Sequence, residues 1–356
     1  MKFGGVVSTK IDDWKIYKEL EDLGYDSAWV PDSQMIWSDC YATLALAAAN
    51  TSRIRLGTGV AIAGTRLAPV TAHSIASINK LAPGRTFLGI GTGHTAMRIM
   101  GQKAMGPTAF RDYLRVVRGL LDGKEVDFTY NGNTRAIRFQ DRQLDCINLD
   151  DRIPIFVGAN GPKALATTGA YGDGRISAGT EPISIMRKNM DRVQRGAQEV
   201  GRMLPEQFHN VLLTFSSVLR PGETLESERV IDEVGAPVVS SLHFWYELML
   251  QRGNDGFIQD AIRDEWEAYK RYVEAMPVKY RHQTLHEGHC AFLPTEERRF
   301  VTPAMIKATA GLVGQANEIR EKIAELEAGG LNEVLLLPPV HCARKNFQTF
   351  SEVIDF

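Results

Sequence analysis

The chain has 356 residues, 44% hydrophobic and 24% charged, a composition that buries a sizeable core and excludes a disordered chain. Its 41 Lys and Arg against 43 Asp and Glu leave a net charge of -2, which gives no long-range attraction for nucleic acid or an anionic membrane; the expected partners are small molecules. Four isolated cysteines, Cys40, Cys146, Cys290 and Cys342, form no CxxC pair and exclude a zinc ribbon or a thioredoxin-type motif.

No export leader is visible and no apolar run nears about 18 residues, so the reading is a cytoplasmic protein without a membrane span. Residues 2–7 read as a first strand and 12–23 as an amphipathic helix stopped by Gly24. SAWV at 27–30 is a second strand, and the Ala- and Leu-rich stretch 41–50 is a helix packed on a sheet. RIRLGTG (53–59) reads as strand three, 69–81 as a helix with Pro in its first turn, and RTFLGIG (85–91) as strand four. A helix over 107–121 precedes a break at 123–150, where alternation around Asn131-Gly132 predicts a hairpin outside the main sheet. Strand five is expected at 153–157, its helix at 162–171, strand six at 175–178, a long helix at 182–200 and strand seven at 210–218. A helix over 318–328, closed by Gly329-Gly330, feeds the last strand at 333–337.

Eight strands, nearly all followed by helices, predict an α/β fold: one (β/α)8 TIM barrel over residues 1–356, not a doubly wound sheet of about five or six strands. Its insertions follow strands four and seven. The second, 221–316, holds helical stretches including 255–276, shows no core signature of its own and is expected to cover the barrel mouth.

Ligands of a parallel barrel bind at the loops that follow the strands. After strand four, Gly91, Thr92 and Gly93 let backbone approach a ligand, and His94 offers a hydrogen bond or a proton; a tight turn with a surface histidine is the plainer alternative. After strand five, Gly158, Ala159, Asn160 and Gly161 set N–H groups at a helix N-terminus, and Ser177, Ala178, Gly179 and Thr180 repeat that chemistry after strand six. Together they point to a phosphate, although each alone is ordinary turn chemistry. Gly59, Val60 and Ala61 end strand three, where glycine in an apolar run marks a bulge or a flat ligand. Asp32 brings a carboxylate to the end of strand two, as a site group or a turn residue, and Trp29, Trp37, Phe244 and Trp245 either wall a planar ring or pack. In RHQTLHEGHC the histidines His282, His286 and His289 lack a recognised ligand spacing, so no metal site is expected; Walker, GxGxxG, HExxH and GxSxG motifs are absent from the sequence.

LEDLGYDSAWVPDS (20–33), SRIRLGTGVAIAGTRLAPVTAHSIASINKLAPGRTFLGIGTG (52–93), FRDYLRVVRGLLDG (110–123), IPIFVGANGPKALATTGAYGDG (153–174) and AGGLNEVLLLPP (328–339) resemble, in order and spacing, the bacterial luciferase-like family of flavin- and deazaflavin-dependent oxidoreductases. The resemblance implies a ring near Gly59, Val60 and Ala61, where the family often carries a non-prolyl cis peptide. It also implies a cofactor phosphate among the loops at 158–161 and 177–180, and a homodimer. The family divides between FMN-dependent monooxygenases, which take reduced flavin from a separate flavin reductase and use O2, and coenzyme F-420-dependent enzymes that transfer hydride. Deazaflavin members usually carry Asp-His after strand two and Glu after strand four; here those positions hold Asp32-Ser33 and His94. The expectation is therefore a two-component FMN-dependent monooxygenase acting on a small organic substrate. His94 handles the proton, Asp32 orients the polar edge of the ring, and His243, Trp245 and His289 lie on the substrate side. The alternatives are a coenzyme F-420-dependent dehydrogenase or reductase and a non-catalytic flavin-binding barrel subunit.

Overall fold

The computed structural model describes residues 1–179, 181–206 and 208–354. Eight strands form its centre: β1 Lys2–Val6, β2 Ser27–Val30, β3 Arg55–Thr58, β4 Thr86–Gly91, β5 Ile155–Gly158, β6 Gly174–Ala178, β7 His209–Thr214 and β8 Glu333–Leu336. Each pairs in parallel with the next, and β8 returns to β1 through Lys2↔Glu333 to Gly5↔Leu336, so the sheet closes without an edge. Strands buried on both faces read as unbroken apolar runs, and β2 and β4 are buried along their whole length. The barrel is filled by side chains: Trp29 lies 4.3 Å from Phe87 and 5.5 Å from Phe156 between ring centroids, with Val6, Ile176, Val211 and Leu335 around them. Gly57 makes this filling possible, because a Cβ there would stand 2.2 Å from the Phe87 ring.

The expected hairpin is present, Val126–Tyr130 against Asn133–Ile137, and its turn residues Asn131 and Gly132 have φ of 49° and 75°, the left-handed pair that a two-residue turn needs. Strand seven is shorter than its apolar run. The barrel strand stops at Thr214, Phe215 turns into the packing of the insertion, and Ser216–Val218 pairs instead with Leu312–Gly314 in a small parallel sheet.

The insertion departs further from its sequence reading. Its longest element, the helix Glu228–Arg252, is hidden in the sequence by Gly235 and by Pro237 inside it, whereas Arg263–Glu274 falls within the expected 255–276. It also has a core of its own, where Val238, Leu242, Trp266, Tyr269 and Phe300 converge. These residues are scattered through segments whose periodicity is weak, so only their packing reveals the core. No helix among the described residues is long and apolar enough to cross a membrane.

Candidate active site

At the C-terminal end of β3 the Gly59-Val60 peptide is cis, at the position the resemblance implies. The chain resumes with Ala61–Ile62, which pairs with β4 through Ala61↔Ile90 and Ile62↔Gly91. A Cβ on Gly59 would fall 2.6 Å from the Trp29 Cβ, one on Gly93 2.3 Å from Ile62 Cγ2, and Gly93 has φ +80°. Two backbones therefore approach closely, with the half-buried Val60 side chain bordering the barrel interior and Thr92 O receiving Met105 N at 3.2 Å. Glycine is required here by space and, at Gly93, by conformation.

His94 begins the short helix His94–Ile99, an element the sequence reading passed over. Its ring is exposed and stands edge-on to Phe244 at 6.1 Å. The surrounding protein first, and then the cation of Arg98, push this imidazole below its usual pKa, so it is neutral at physiological pH. Asp32 is 3% exposed and engaged: Ile62 N donates to it at 3.1 Å, Arg66 at 2.5 Å, and Gln34 also donates. Arg66 reaches on to Asp39 at 2.9 Å. Asp32 thus ties the loop after β2 to the loop after β3.

The loops after β5 and β6 are tied by a residue that sequence reading missed. Arg175, on β6, donates to Ala159 O at 2.8 Å and to Asn160 Oδ1 at 3.3 Å, and grips Glu181 at 2.6 and 2.8 Å. The available signal was a lone cation inside a buried strand, GRISA. Gly158 ends β5, Gly161 has open space where a Cβ would stand, and Pro162 starts the following helix. Gly179, with φ +74°, donates to Leu213 O at 3.1 Å. Ser177 is buried with its hydroxyl on Val211 O at 3.3 Å, bonded within the sheet and not offered to the loop. Thr180 lies outside the described residues.

Of the three substrate-side candidates, one reaches the mouth. His289 stacks on Trp37, in the loop after β2, at 5.6 Å. Burial, then His286 and His243, press its pKa down to about 3 and keep it neutral. His243 instead lies in the insertion core, 1% exposed, with Nε2 on Glu297 at 3.0 Å, and Trp245 packs against the same core. The helix turns its neighbour Phe244 toward His94, so the aromatic at the mouth is Phe244 and not Trp245. One turn further, Glu247 bonds His286 at 2.9 Å and pairs with Arg98, joining the insertion to the helix that His94 begins.

Several buried polar atoms around this mouth have no partner among the described residues: Ser8 Oγ, Gln34 Oε1, Trp37 Nε1 and His289 Nδ1. Buried polar groups are normally satisfied, so orphans clustered beside a glycine-lined wall fit a planar ligand with a polar edge, and the open turn at Gly161 fits a phosphate.

The model of the luciferase-like monooxygenase family matches residues 14–333. A 5,10-methylenetetrahydromethanopterin reductase of Methanolobus tindarius is 35% identical over 187 residues, 52% of this chain and 55% of that protein, so the chain spans about half that relative's length. An F-420-dependent glucose-6-phosphate dehydrogenase of Kineococcus radiotolerans is 28% identical over 291 residues, 76% of this chain and 77% of that one. Among solved structures, the coenzyme F-420-dependent tetrahydromethanopterin reductase of Methanopyrus kandleri superposes with a TM-score of 0.66 at 20% identity, covering 99% of this chain and 97% of that one. At that identity the likeness speaks for the fold alone.

Proposed function

This chain belongs to the luciferase-like monooxygenase family, and from that premise we propose that it is a coenzyme F-420-dependent oxidoreductase moving a hydride between the deazaflavin and a small organic substrate. The observation that carries this reading is the set of relatives, named as reductases and F-420-dependent dehydrogenases, one of which aligns over 76% of the chain. It reverses the order of preference expected from Ser33 and His94 alone.

In this reading Val60 backs the ring from the cis step, and Gly91, Thr92 and Gly93 form the adjoining wall. Gly158, Ala159, Asn160 and Gly161 meet the phosphate, with Gly179 in the neighbouring loop, and Arg175 neutralises Glu181, which would otherwise repel it. Bound there, the deazaflavin supplies or takes the hydride. The protein's own share is position, dryness and the proton. His94 and His289, both held neutral, offer ring nitrogens to a substrate oxygen, the first beside Phe244 and the second steered by its stack on Trp37. Asp32 acts through the loops it clamps.

Titration of the purified chain with coenzyme F-420 and, in parallel, with FMN tests this through quenching of tryptophan fluorescence. Saturable micromolar binding of F-420, at least tenfold tighter than FMN, is expected. Tighter binding of FMN, with substrate-dependent O2 uptake when reduced FMN is supplied, overturns it. That outcome is the second reading, an FMN-dependent monooxygenase fed by a separate reductase, which Ser33 and His94 favour as departures from the deazaflavin pattern.

A further inference from the structure

The opposite end of the barrel holds a cavity of about 480 Å³ whose wall includes Lys2, Arg55, Arg152, Arg202, Asp173 and His209. Lys2, Arg55 and His209 are the first residues of β1, β3 and β7, and Asp173 directly precedes β6, so this cavity opens where the strands begin.

Its charges do not cancel. Asp173 is shared by Arg152 at 2.7 Å, Arg202 at 2.9 Å and, from behind, Arg118 at 3.0 Å, while Arg118 also pairs with Asp122 at 3.2 Å. Beneath the cavity, His209 holds Glu333 at 2.6 Å; burial works against its charge, but His209, Ser27 and Arg55 keep its carboxyl below the usual range and so ionised. Among the described residues Lys2 and Arg55 have no ion pair. The Arg55 guanidinium lies over Phe87 and Phe156, at 5.3 and 5.7 Å, and reaches Glu333 only through its longer-range charge. With Arg118 balanced by Asp122, four lining cations face two carboxylates, an excess of two positive charges in one concavity.

The other wall is apolar. Met203 stands on it 89% exposed, next to Pro205. A volume of 480 Å³ is far more than a bare inorganic anion fills and lies in the range of organic ligand sites.

We propose that this cavity binds a small dianion of the phosphate-ester class. Its phosphoryl oxygens lie among Lys2, Arg55, Arg152 and Arg202, and its organic body lies on Met203 and Pro205. Guanidinium groups match phosphate oxygens in pairs, and the two uncancelled charges match the dianion. Such a ligand links the starts of β1, β3 and β7 and stabilises the barrel by mass action. The inference is independent of the cofactor reading.

Isothermal titration of the full chain at low ionic strength, with phenyl phosphate and with inorganic phosphate, tests it. One saturable site is expected, at least fivefold tighter for phenyl phosphate and weakening as salt rises. Arg152→Gln, whose side chain is 60% exposed, and Lys2→Gln retain the fold and each weaken phenyl phosphate at least fivefold. Met203→Ser removes the preference for phenyl phosphate over inorganic phosphate. Absence of saturable binding at millimolar ligand overturns the proposal. So does binding that survives unchanged in both charge variants, which would assign the anion to the loops at the other end of the barrel.

Discussion

At the start of the strands Asp173 accepts from three guanidinium groups and from Ile155 N at 2.9 Å, and Glu21 accepts from the backbone N–H groups of Ser52, Arg53 and Ile54 at 2.6–2.9 Å. At the ends of the strands Trp37 Nε1, His289 Nδ1, Gln34 Oε1 and Ser8 Oγ are buried without a partner among the described residues. An orphaned buried polar group costs stability and a satisfied network returns it; Arg118 Nε and Asn210 Oδ1 are orphaned at the starting end as well, so what sets that end apart is its saturated carboxylates. One end holds the barrel shut by saturated carboxylates. The other leaves those four buried polar atoms without a partner among the described residues.

The largest expected effect breaks the saturated end. Asp173→Ala removes the acceptor that Arg118, Arg152 and Arg202 share, leaving the buried Arg118 with Asp122 alone as its ion-pair partner among the described residues, and loses roughly 3–5 kcal/mol of stability, read as a shifted urea midpoint. A loss below about 1 kcal/mol would erase the contrast between the ends.

Acid separates them next. The folded chain resists protonating His289 down to about pH 3, while the unfolded chain takes that proton below about 6.5. This contribution is complete above pH 6.5 and is lost on descent toward 3, by at most about 1.4 kcal/mol per unit. For Glu21, burial opposes the charge but three backbone donors hold the pKa near about 2, so its contribution is present above pH 4.5 and fades only as pH falls toward 2. Melting temperature against pH should show His289→Asn flattening the upper window and Glu21→Gln only the lower.

Gly59→Ala has a smaller effect. Its Cβ would meet Trp29 Cβ at 2.6 Å, so the wall of the mouth must shift, at roughly 1–3 kcal/mol, with weaker cofactor binding in the same titration. Smallest in stability is His94→Ala: the exposed ring leaves the unfolding midpoint within about 0.5 kcal/mol, while turnover drops about a hundredfold. Unchanged turnover would remove His94 from the chemistry.

The barrel was legible because each β/α unit announces itself locally. SAWV and TFLGIG are apolar without alternation, Pro69 and Pro162 mark helix starts, and Asn131-Gly132 marks the hairpin. The glycines that line the mouth were legible for the same reason, as glycine inside an apolar strand is locally unfavourable and signals close approach. The insertion was not. Choosing Phe244 over Trp245 requires knowing how the helix Glu228–Arg252 is rotated, and Pro237 blurs the periodicity that would have said so.

By itself the sequence determined the order of the barrel strands and the glycine loops, because these follow from residue propensity and spacing along the chain, and its motifs carried the resemblance that the family match bears out. The tertiary structure decided which polar groups are spent and which are free. It placed Asp32 on Ile62 and Arg66, buried His243 against Glu297, and brought His289 from the insertion onto Trp37. Partnering of this kind depends on distance across the fold, which no local pattern encodes.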